Sequence, residues 1–457
     1  MNIALVFPRI RSKSGDPPLG LGYLASNVPE GRRGDVTIVD GTFMRSLDEL
    51  LARLSAARPD LAGIYFDTMN YDTGVRIARR LKEEGVFVLA GGPHATVLPE
   101  TIADFVDGVV LGEGERTFAE IVRREEFRDL SGVAGALYRG EDGIVRNADR
   151  EPVADLDSLA FPARRLLDME RYMAAWHYLD ILDIGIRGTT VVASRGCPFD
   201  CTYCQPTLCR IFGKRPRMRS ARDIVAEIME LKRDYGVQGI FFHDDTLTAN
   251  RAWLNELCDR LIADSPGVLW ACNARADIHD DDIFKKMHRA GLRYMHIGVE
   301  SGNQRILDEI YRKRIRLGDI GKTIASAKRA GIRAGCFFML GAPTETREEL
   351  RRTIRFAASL DIDEATFNIT TPLPGTHLFE IVRGLGYRIS GDYSDFNYYS
   401  RRAFEDPNLS NRLLGFYQKR ALFSFYLRPR RWRYILRHFT SLRGFRKLMI
   451  KVGRFFR

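Results

Sequence analysis

Three cysteines fall within eight residues, in Cys197-Pro-Phe-Asp-Cys201-Thr-Tyr-Cys204, and this spacing constrains the chain more than any other feature. They follow an apolar run, residues 189–193, that reads as a buried strand, with Gly196 at the turn. Three thiolates on one loop leaving a strand suit three irons of a [4Fe–4S] cube, with the fourth iron left open to a substrate or cofactor. The alternatives are a zinc site and buried free thiols. Zinc wants a fourth nearby ligand, and Cys209 is the one local cysteine candidate. A disulfide is not expected, because the seven cysteines are odd in number and the chain reads as cytosolic.

At 457 residues the chain can form two or three domains with full cores. No stretch approaches the roughly 18 uninterrupted apolar residues of a membrane span. The first ten residues, MNIALVFPRI, read as a short strand and lack the parts of a signal peptide. A cytoplasmic location is therefore expected, which suits an oxygen-sensitive cluster. The net charge of +11 is unevenly spread: residues 401–457 hold 16 Lys/Arg against 2 Asp/Glu, a net of +14, which leaves −3 on the other 400.

In residues 1–150, strand-like runs at 3–7, 36–39, 61–66, 86–90 and 108–111 alternate with helical patterns at 47–57 and 74–84. That alternation implies a doubly wound parallel sheet, whose ligands sit at the carboxyl ends of the strands. The segments there are small or polar: Asp67-Thr68-Met69-Asn70, Gly91-Gly92-Pro93-His94 and Gly112-Glu113-Gly114-Glu115. Each alone could be an ordinary turn. No G-x-G-x-x-G follows the first strand, so a nicotinamide site is not supported. A hairpin is expected around Glu141-Asp142-Gly143, followed by a connector over 151–186. The aromatic residues of 176–186 could pack between domains or border a substrate.

Residues 187–385 repeat strand and helix patterns six times, with strands at 189–193, 239–242, 268–272, 294–299, 334–340 and 365–369. Six such units make a partial (β/α)6 barrel, with chemistry at the strand carboxyl ends. Those ends carry the cysteines, then His243-Asp244-Asp245, Asn273 with Arg275, Glu300-Ser301-Gly302, Gly341-Ala342-Pro343-Thr344-Glu345 and Thr371-Pro372-Leu373-Pro374-Gly375. Asp244 could instead cap the next helix, and Arg275 could be a structural ion pair. Glu300 is harder to dismiss, because an unpaired buried carboxylate is costly. Cys258, Cys272 and Cys336 read as core thiols.

The cysteine spacing, with Tyr203 before the last cysteine, resembles the radical S-adenosylmethionine (SAM) superfamily. "FFHDDTLT", "HIGVESGNQRIL" and "FFMLGAPTETREEL" look like its strand motifs, and "GGPHATVLPE", "LGEGERTF" and "DPPLGLGYLAS" look like the cobalamin-binding domain that precedes many of its members. The resemblance covers residues 1–385. It implies that Cys197, Cys201 and Cys204 hold the cluster, with Tyr203 beside it. Glu300 and Ser301 would contact SAM polar groups, Gly341 and Ala342 would border adenine, and Asp244 or Asp245 would face ribose or methionine. Arg275 supplies a cation of the type SAM needs. Asp67, Thr68, Gly91, Gly92, His94, Gly112, Glu113 and Gly114 would line the cobalamin site. One departure is the missing Asp-x-His-x-x-Gly, whose histidine ligates cobalt from below; Asp277-Ile-His279 lies in the wrong domain and lacks the glycine.

The chemistry implied is reductive cleavage of SAM to a 5′-deoxyadenosyl radical, with the electron coming from a ferredoxin or flavodoxin. Hydrogen abstraction from an unactivated carbon follows, and then methyl transfer from methylcobalamin. A cyclase or oxidoreductase on the same scaffold is the first rival. An RNA-modifying methylthiotransferase is weaker, since residues 1–196 hold no further cluster cysteines, and a metal-binding scaffold without turnover is the non-enzymatic reading. The tail, 386–457, has a basic amphipathic helical pattern with breaks at Pro429 and Gly444. It reads as a membrane-surface anchor at the inner face of the membrane, in competition with RNA binding and with a lid on the barrel mouth. Together these suggest a hydrophobic substrate, such as a polyisoprenoid lipid or a tetrapyrrole, and leave nucleic acid an unlikely partner.

Overall fold

The computed structural model describes residues 1–10, 14–183, 185–278, 280–399, 401–428 and 449, with the side chains of 32–34 excepted. They form two compact units: Met1–Ala174 with Pro206–Arg217, and Ala175–Gln205 with Met218–Arg457. The first unit therefore runs past residue 150, and the expected connector is divided at residue 174 instead of standing alone.

The first unit is built on strands β1 (Ile3–Phe7), β2 (Val36–Asp40), β3 (Leu61–Tyr65), β4 (Phe87–Gly91) and β5 (Gly108–Val110). They pair in parallel in the order β2-β1-β3-β4-β5, with Ile3 opposite both Val36 and Leu61. β1 and β4 are nearly continuous apolar runs because helices cover both faces of such a sheet. Of these helices, α1 is Leu19–Asn27, α2 is Leu47–Ala57, α3 is Tyr71–Glu83, α4 is Pro93–Val97 and α5 is Gly114–Arg123. Leu50, Leu54, Ile77 and Leu81 from the inner faces of α2 and α3 enter one core with Val6, Ile64 and Val88. Ser46 caps α2 by accepting from Glu49 N (3.3 Å). α3 begins three residues before the expected start, since Asp67 caps the preceding turn and feeds the chain straight into the helix.

The hairpin forms as expected, from β6 (Ala136–Gly140) and β7 (Gly143–Arg146). β6 pairs antiparallel with β5, so the hairpin extends the sheet to seven strands and makes one edge antiparallel. Helices α6 (Met169–Ala175) and α7 (Thr207–Phe212) follow.

In the second unit, strands β8 (Gly188–Val191), β9 (Ser194–Arg195) and β10 (Arg217–Met218) precede β11 (Gly239–Phe242), β12 (Leu269–Arg275), β13 (Leu292–Glu300), β14 (Arg333–Leu340) and β15 (Glu364–Ile369). Six of them form an all-parallel sheet in the order β15-β14-β13-β12-β11-β8, which is the expected (β/α)6 partial barrel. Helices α8 (Ala221–Tyr235), α9 (Arg251–Asp264), α10 (Asp281–Arg289), α11 (Leu317–Arg329) and α12 (Arg347–Ser359) connect successive strands. The residues after Ala175 plug the barrel at the strand amino ends: Trp176, Leu179 and Ile181 cluster with Phe241, Ala271 and Tyr294. Gly239 is glycine for this reason, since a Cβ there would meet Trp176 at 2.8 Å. This settles the place of the 176–186 aromatic residues within the barrel.

After α13 (His377–Gly384), residues 386–410 and α14 (Asn411–Tyr426) belong to the barrel unit. Gln418 Nε2 donates to Phe367 O at 2.8 Å and Tyr426 Oη to Ala365 O at 3.1 Å, both on β15. The expected separate tail therefore starts later than 386, and the rest of it, including the breaks at Pro429 and Gly444, lies outside the described residues. Among the described residues no helix is long and apolar enough to cross a membrane.

Candidate active site

The loop after β8 carries the three cysteines, and its backbone is fixed from three sides. Thr202 donates through its amide to Tyr311 O (3.0 Å) and through its hydroxyl to Ile310 O (2.6 Å). The first turn of α13 closes on it: His377 N donates to Gln205 O (2.7 Å) and Leu378 N to Thr202 O (2.9 Å). Gln205 Nε2 returns to Phe199 O (3.1 Å), and the Arg275 guanidinium lies 3.7 Å over the Phe199 ring. A loop so held presents its thiols in one geometry before any metal arrives.

Cys201 is buried, while Cys197 and Cys204 are half-buried. Burial pushes the Cys197 thiol up, and burial followed by the charge of Cys201 and Asp245 pushes Cys204 well up. Thiols that feel one another's charge share a small space. Yet among the described residues no three His, Cys, Asp or Glu side chains converge as ligands of a single metal ion. Three thiols on one loop, with no fourth ligand beside them among the described residues, are the donor set that would hold three corners of a [4Fe–4S] cluster. Iron would have to displace the thiol protons, so loading releases protons.

The strand ends around the loop divide into side chains that face it and side chains that brace it. Glu300, at the end of β13, faces it. It is buried and its backbone is left-handed (φ 67°), a conformation costly for any residue but glycine. Its Oε1 accepts from Lys313 Nζ at 2.7 Å and lies 3.4 Å from Tyr203 Oη, while Lys313 also reaches Tyr203 Oη at 3.1 Å. A Cβ on Gly298 would lie 2.6 Å from Glu300 Oε1 and 2.8 Å from Lys313 Nζ, so a side chain there would displace the ends of this pair. Lys313 was not legible in sequence, because "YRKRIR" reads as a solvated basic run. Its signal is the pair of left-handed residues on either side, Arg312 and Arg314, which turns the lysine inward. Asp245 is exposed next to the cysteines.

Asp244, Arg275, Ser301, Gly341 and Ala342 brace the site. Asp244 is buried, accepts from Ala193 N (3.1 Å) and Ser194 Oγ (2.5 Å), and is pushed up to about 7 by burial. It caps no helix; it clamps the strand that leads into the cysteines. Arg275 is committed to Asp277 (2.8 Å), to Lys313 O (3.0 Å) and to Phe199. Ser301 Oγ lies 3.2 Å from Thr353 Oγ1 and accepts from Asn303 N (3.1 Å). The Gly341 and Ala342 amides both donate to Glu345 Oε2, at 2.7 and 3.1 Å. Glu345 is buried, and burial pushes it up to about 8. These contacts hold the strand ends in place.

In the first unit the sheet order reverses between β1 and β3, the place where open sheets of this topology take a ligand. Phe7 and Tyr65 stand there with ring centroids 5.2 Å apart. Gly92 has φ 110° and a Cβ there would meet Phe66 O at 2.7 Å, so glycine is obligatory; at Gly91 nothing lies closer than Val110 O at 3.9 Å. Asp67 accepts from Asn70 N (2.8 Å). His94 is buried, with Nδ1 3.1 Å from Thr68 Oγ1 and Nε2 3.1 Å from Thr101 Oγ1, and burial lowers it to about 4. Both of its nitrogens are spent, and it is the one histidine in residues 1–174. A cobalamin held here would meet His94 with both ring nitrogens already hydrogen-bonded. Gly112 has φ 69° and takes Thr96 Oγ1 on its amide (3.0 Å), and a Cβ there would sit 3.4 Å from Ile211 O of α7. Glu113 pairs with Arg217 (2.7 Å) and accepts from Val153 N (2.7 Å), while Gly114 opens α5 against Leu24. Glu113 is thus an internal clamp, with Arg217 as the partner that the sequence did not reveal.

Residues 191–357 match the Radical SAM superfamily and residues 10–122 match the B12 binding domain. An uncharacterised methyltransferase of Pyrococcus horikoshii is 35% identical over 450 residues, which cover 94% of this chain and 93% of the relative. The anaerobic magnesium-protoporphyrin IX monomethyl ester cyclase of Rubrivivax gelatinosus is 28% identical, with 83% of this chain and 70% of the relative covered. Among solved structures, the radical SAM methyltransferase TsrM from Kitasatospora setae, with cobalamin and a [4Fe–4S] cluster bound, superposes with a TM-score of 0.68 at 19% identity, covering 84% of this chain and 75% of that one.

Proposed function

The chain belongs to the radical SAM superfamily and carries a B12-binding domain, and from that premise we propose that it places a methyl group on an unactivated carbon of a hydrophobic, ring-containing substrate. The observation that carries this reading is the cysteine loop, pinned on three sides with the Glu300–Lys313–Tyr203 triad against it. Cys197, Cys201 and Cys204 would hold the cluster. Tyr203, Glu300 and Lys313 would meet the charged groups of SAM, and the edge at Gly91 and Gly92, with Asp67 and Thr68, would hold cobalamin. When bound, the cluster and SAM supply radical chemistry and cobalamin supplies the methyl group. The chain orients these groups and keeps water out.

The cyclase relative, named for a porphyrin ester, supports a flat, apolar substrate such as a tetrapyrrole. A ferredoxin or flavodoxin would be the electron donor.

The test is product analysis after anaerobic turnover with SAM, cobalamin and a panel of tetrapyrroles and polyisoprenoids. Methyl transfer yields S-adenosylhomocysteine together with 5′-deoxyadenosine. 5′-Deoxyadenosine alone would favour a cyclase or oxidoreductase, and neither product from cluster-loaded protein would end the proposal.

A further inference from the structure

The segment between α13 and α14 meets the barrel through one buried arginine. Arg402 and Asp406 have side chains 1% and 0% exposed and lie 3.2 Å apart. The guanidinium also donates to Leu409 O, lies 4.6 Å from the centroid of the Phe404 ring and reaches Gly341 O at 3.5 Å. Arg402 N in turn donates to Asn411 Oδ1 at 3.0 Å. The segment is thus wound around this side chain, whose tip touches the end of β14. Leu414 of α14 closes on the same spot: a Cβ on Gly341 would meet Leu414 Cδ2 at 2.7 Å and Arg402 Cδ at 3.1 Å. Gly341 is therefore small because the C-terminal segment packs on it.

What Arg402 holds is connected to the cysteine loop. Glu345 fixes the Gly341 and Ala342 amides, and Arg402 takes the Gly341 carbonyl. One residue earlier, Leu340 O accepts from Thr370 N at 2.9 Å, and Thr370 Oγ1 lies 2.7 Å from Tyr311 Oη. Tyr311 O accepts from Thr202 N, between Cys201 and Tyr203, and the Tyr311 ring meets Tyr203 edge-on at 5.5 Å. Glu300, at the end of the neighbouring strand, stands opposite Phe338 of β14. Every link is hydrogen-bonded or packed, so a shift of the β14 end reaches Tyr203, Glu300 and the cysteine loop. A buried ion pair adds little stability over apolar side chains of the same volume, and its best-attested use is to fix one arrangement. Arg402 also lies beyond residues 191–357, so this brace comes from outside the part of the barrel that matches the superfamily.

We propose that Arg402 is a positioning residue of the active site. From the C-terminal segment it sets the end of β14 and, through Thr370 and Tyr311, the corner at Tyr203 and Glu300 where SAM binds. The inference rests on the reading of that corner as the SAM site.

The test is SAM affinity, measured by equilibrium dialysis with radiolabelled SAM on full-length protein loaded with its cluster and cobalamin without oxygen. The double variant Arg402→Met, Asp406→Asn leaves no buried charge unpaired and keeps an acceptor for Asn408 N, so its iron, its cobalt and its urea midpoint stay those of the parent. Its affinity for SAM falls about tenfold or more. A purely structural brace gives the reverse, a lower unfolding midpoint with SAM affinity unchanged in the folded protein. Arg402→Lys keeps the charge opposite Asp406 but not the fork that spans Leu409 O and Gly341 O, and it loses SAM affinity as well. Unchanged SAM affinity in either folded variant overturns the proposal. A parent that holds a full cluster and fails to bind SAM removes the premise, and the inference with it.

Discussion

Lys313→Met is the perturbation that the site geometry makes most informative. Lys313 Nζ and Glu300 Oε1 are 2.7 Å apart, with side chains 7% and 10% exposed. At an effective dielectric constant near 20, that distance corresponds to about 6 kcal/mol of attraction, part of which the desolvation of two buried charges takes back. Removing the lysine leaves Glu300 buried, in a left-handed backbone, with Tyr203 Oη 3.4 Å away as its remaining donor among the described contacts. Breaking one side of such a pair costs about 3 kcal/mol. Glu300→Gln should cost about 2 kcal/mol, since it strands the ammonium beside Tyr203. The double variant should cost at least about 2 kcal/mol less than the sum, because each single change already breaks the same contact. The assay is urea unfolding followed by tryptophan fluorescence. The three tryptophans among the described residues, Trp176, Trp253 and Trp270, lie in the barrel unit, so in a Trp432→Phe background the signal reports that unit. Additivity within about 0.5 kcal/mol would refute the reasoning and make the pair a surface-like contact.

Glu345 is pushed up to about 8 by burial, above its unfolded value of 4.5, so its protonated form belongs to the native state. Stability from this group is therefore full below pH 4.5 and is lost as pH rises toward 8, by about 2 kcal/mol between pH 6 and 8. Glu345→Gln should remove that slope in barrel unfolding curves, and an unchanged slope would locate the titrating group elsewhere. Arg275→Met takes away the cation over Phe199 and the donor to Lys313 O, so iron should be lost to a chelator at least tenfold faster; an unchanged rate would mean that the loop is held without it. His94 has both nitrogens committed, so the electron paramagnetic resonance spectrum of cob(II)alamin-loaded protein should show no histidine nitrogen on cobalt. Resolved nitrogen hyperfine structure from a histidine would contradict this. Gly298→Ala should copy Lys313→Met, since its methyl would occupy the space the pair needs.

The strands and their order of appearance were legible because parallel strands buried on both faces are continuous apolar runs, as at Ile3–Phe7 and Gly239–Phe242. The cysteine motif was legible because ligand spacing is local. What the sequence hid is long-range. Nothing near residue 136 announces that the hairpin will pair with β5. Asp244 and Arg275 were marked as SAM-contact candidates because strand-end charges look alike whether they face a ligand or a neighbouring loop, and apart from Asp277, two residues from Arg275, their partners, Ala193 with Ser194 and Phe199 with Lys313 O, are 38 to 76 positions away. Lys313 and Arg217 were missed for the opposite reason. Each sits in a basic run that reads as solvated surface, and only the fold turns particular cations of the run inward, Lys313 in one and Arg217 with Arg219 in the other.

The most direct test of the account is a metal count on protein purified without oxygen and supplied with cobalamin. The account predicts about four irons, with matching sulfide, and one cobalt per chain, and loss of the iron in Cys201→Ala. Zinc in place of iron, or a full cluster with no cobalt, would contradict it.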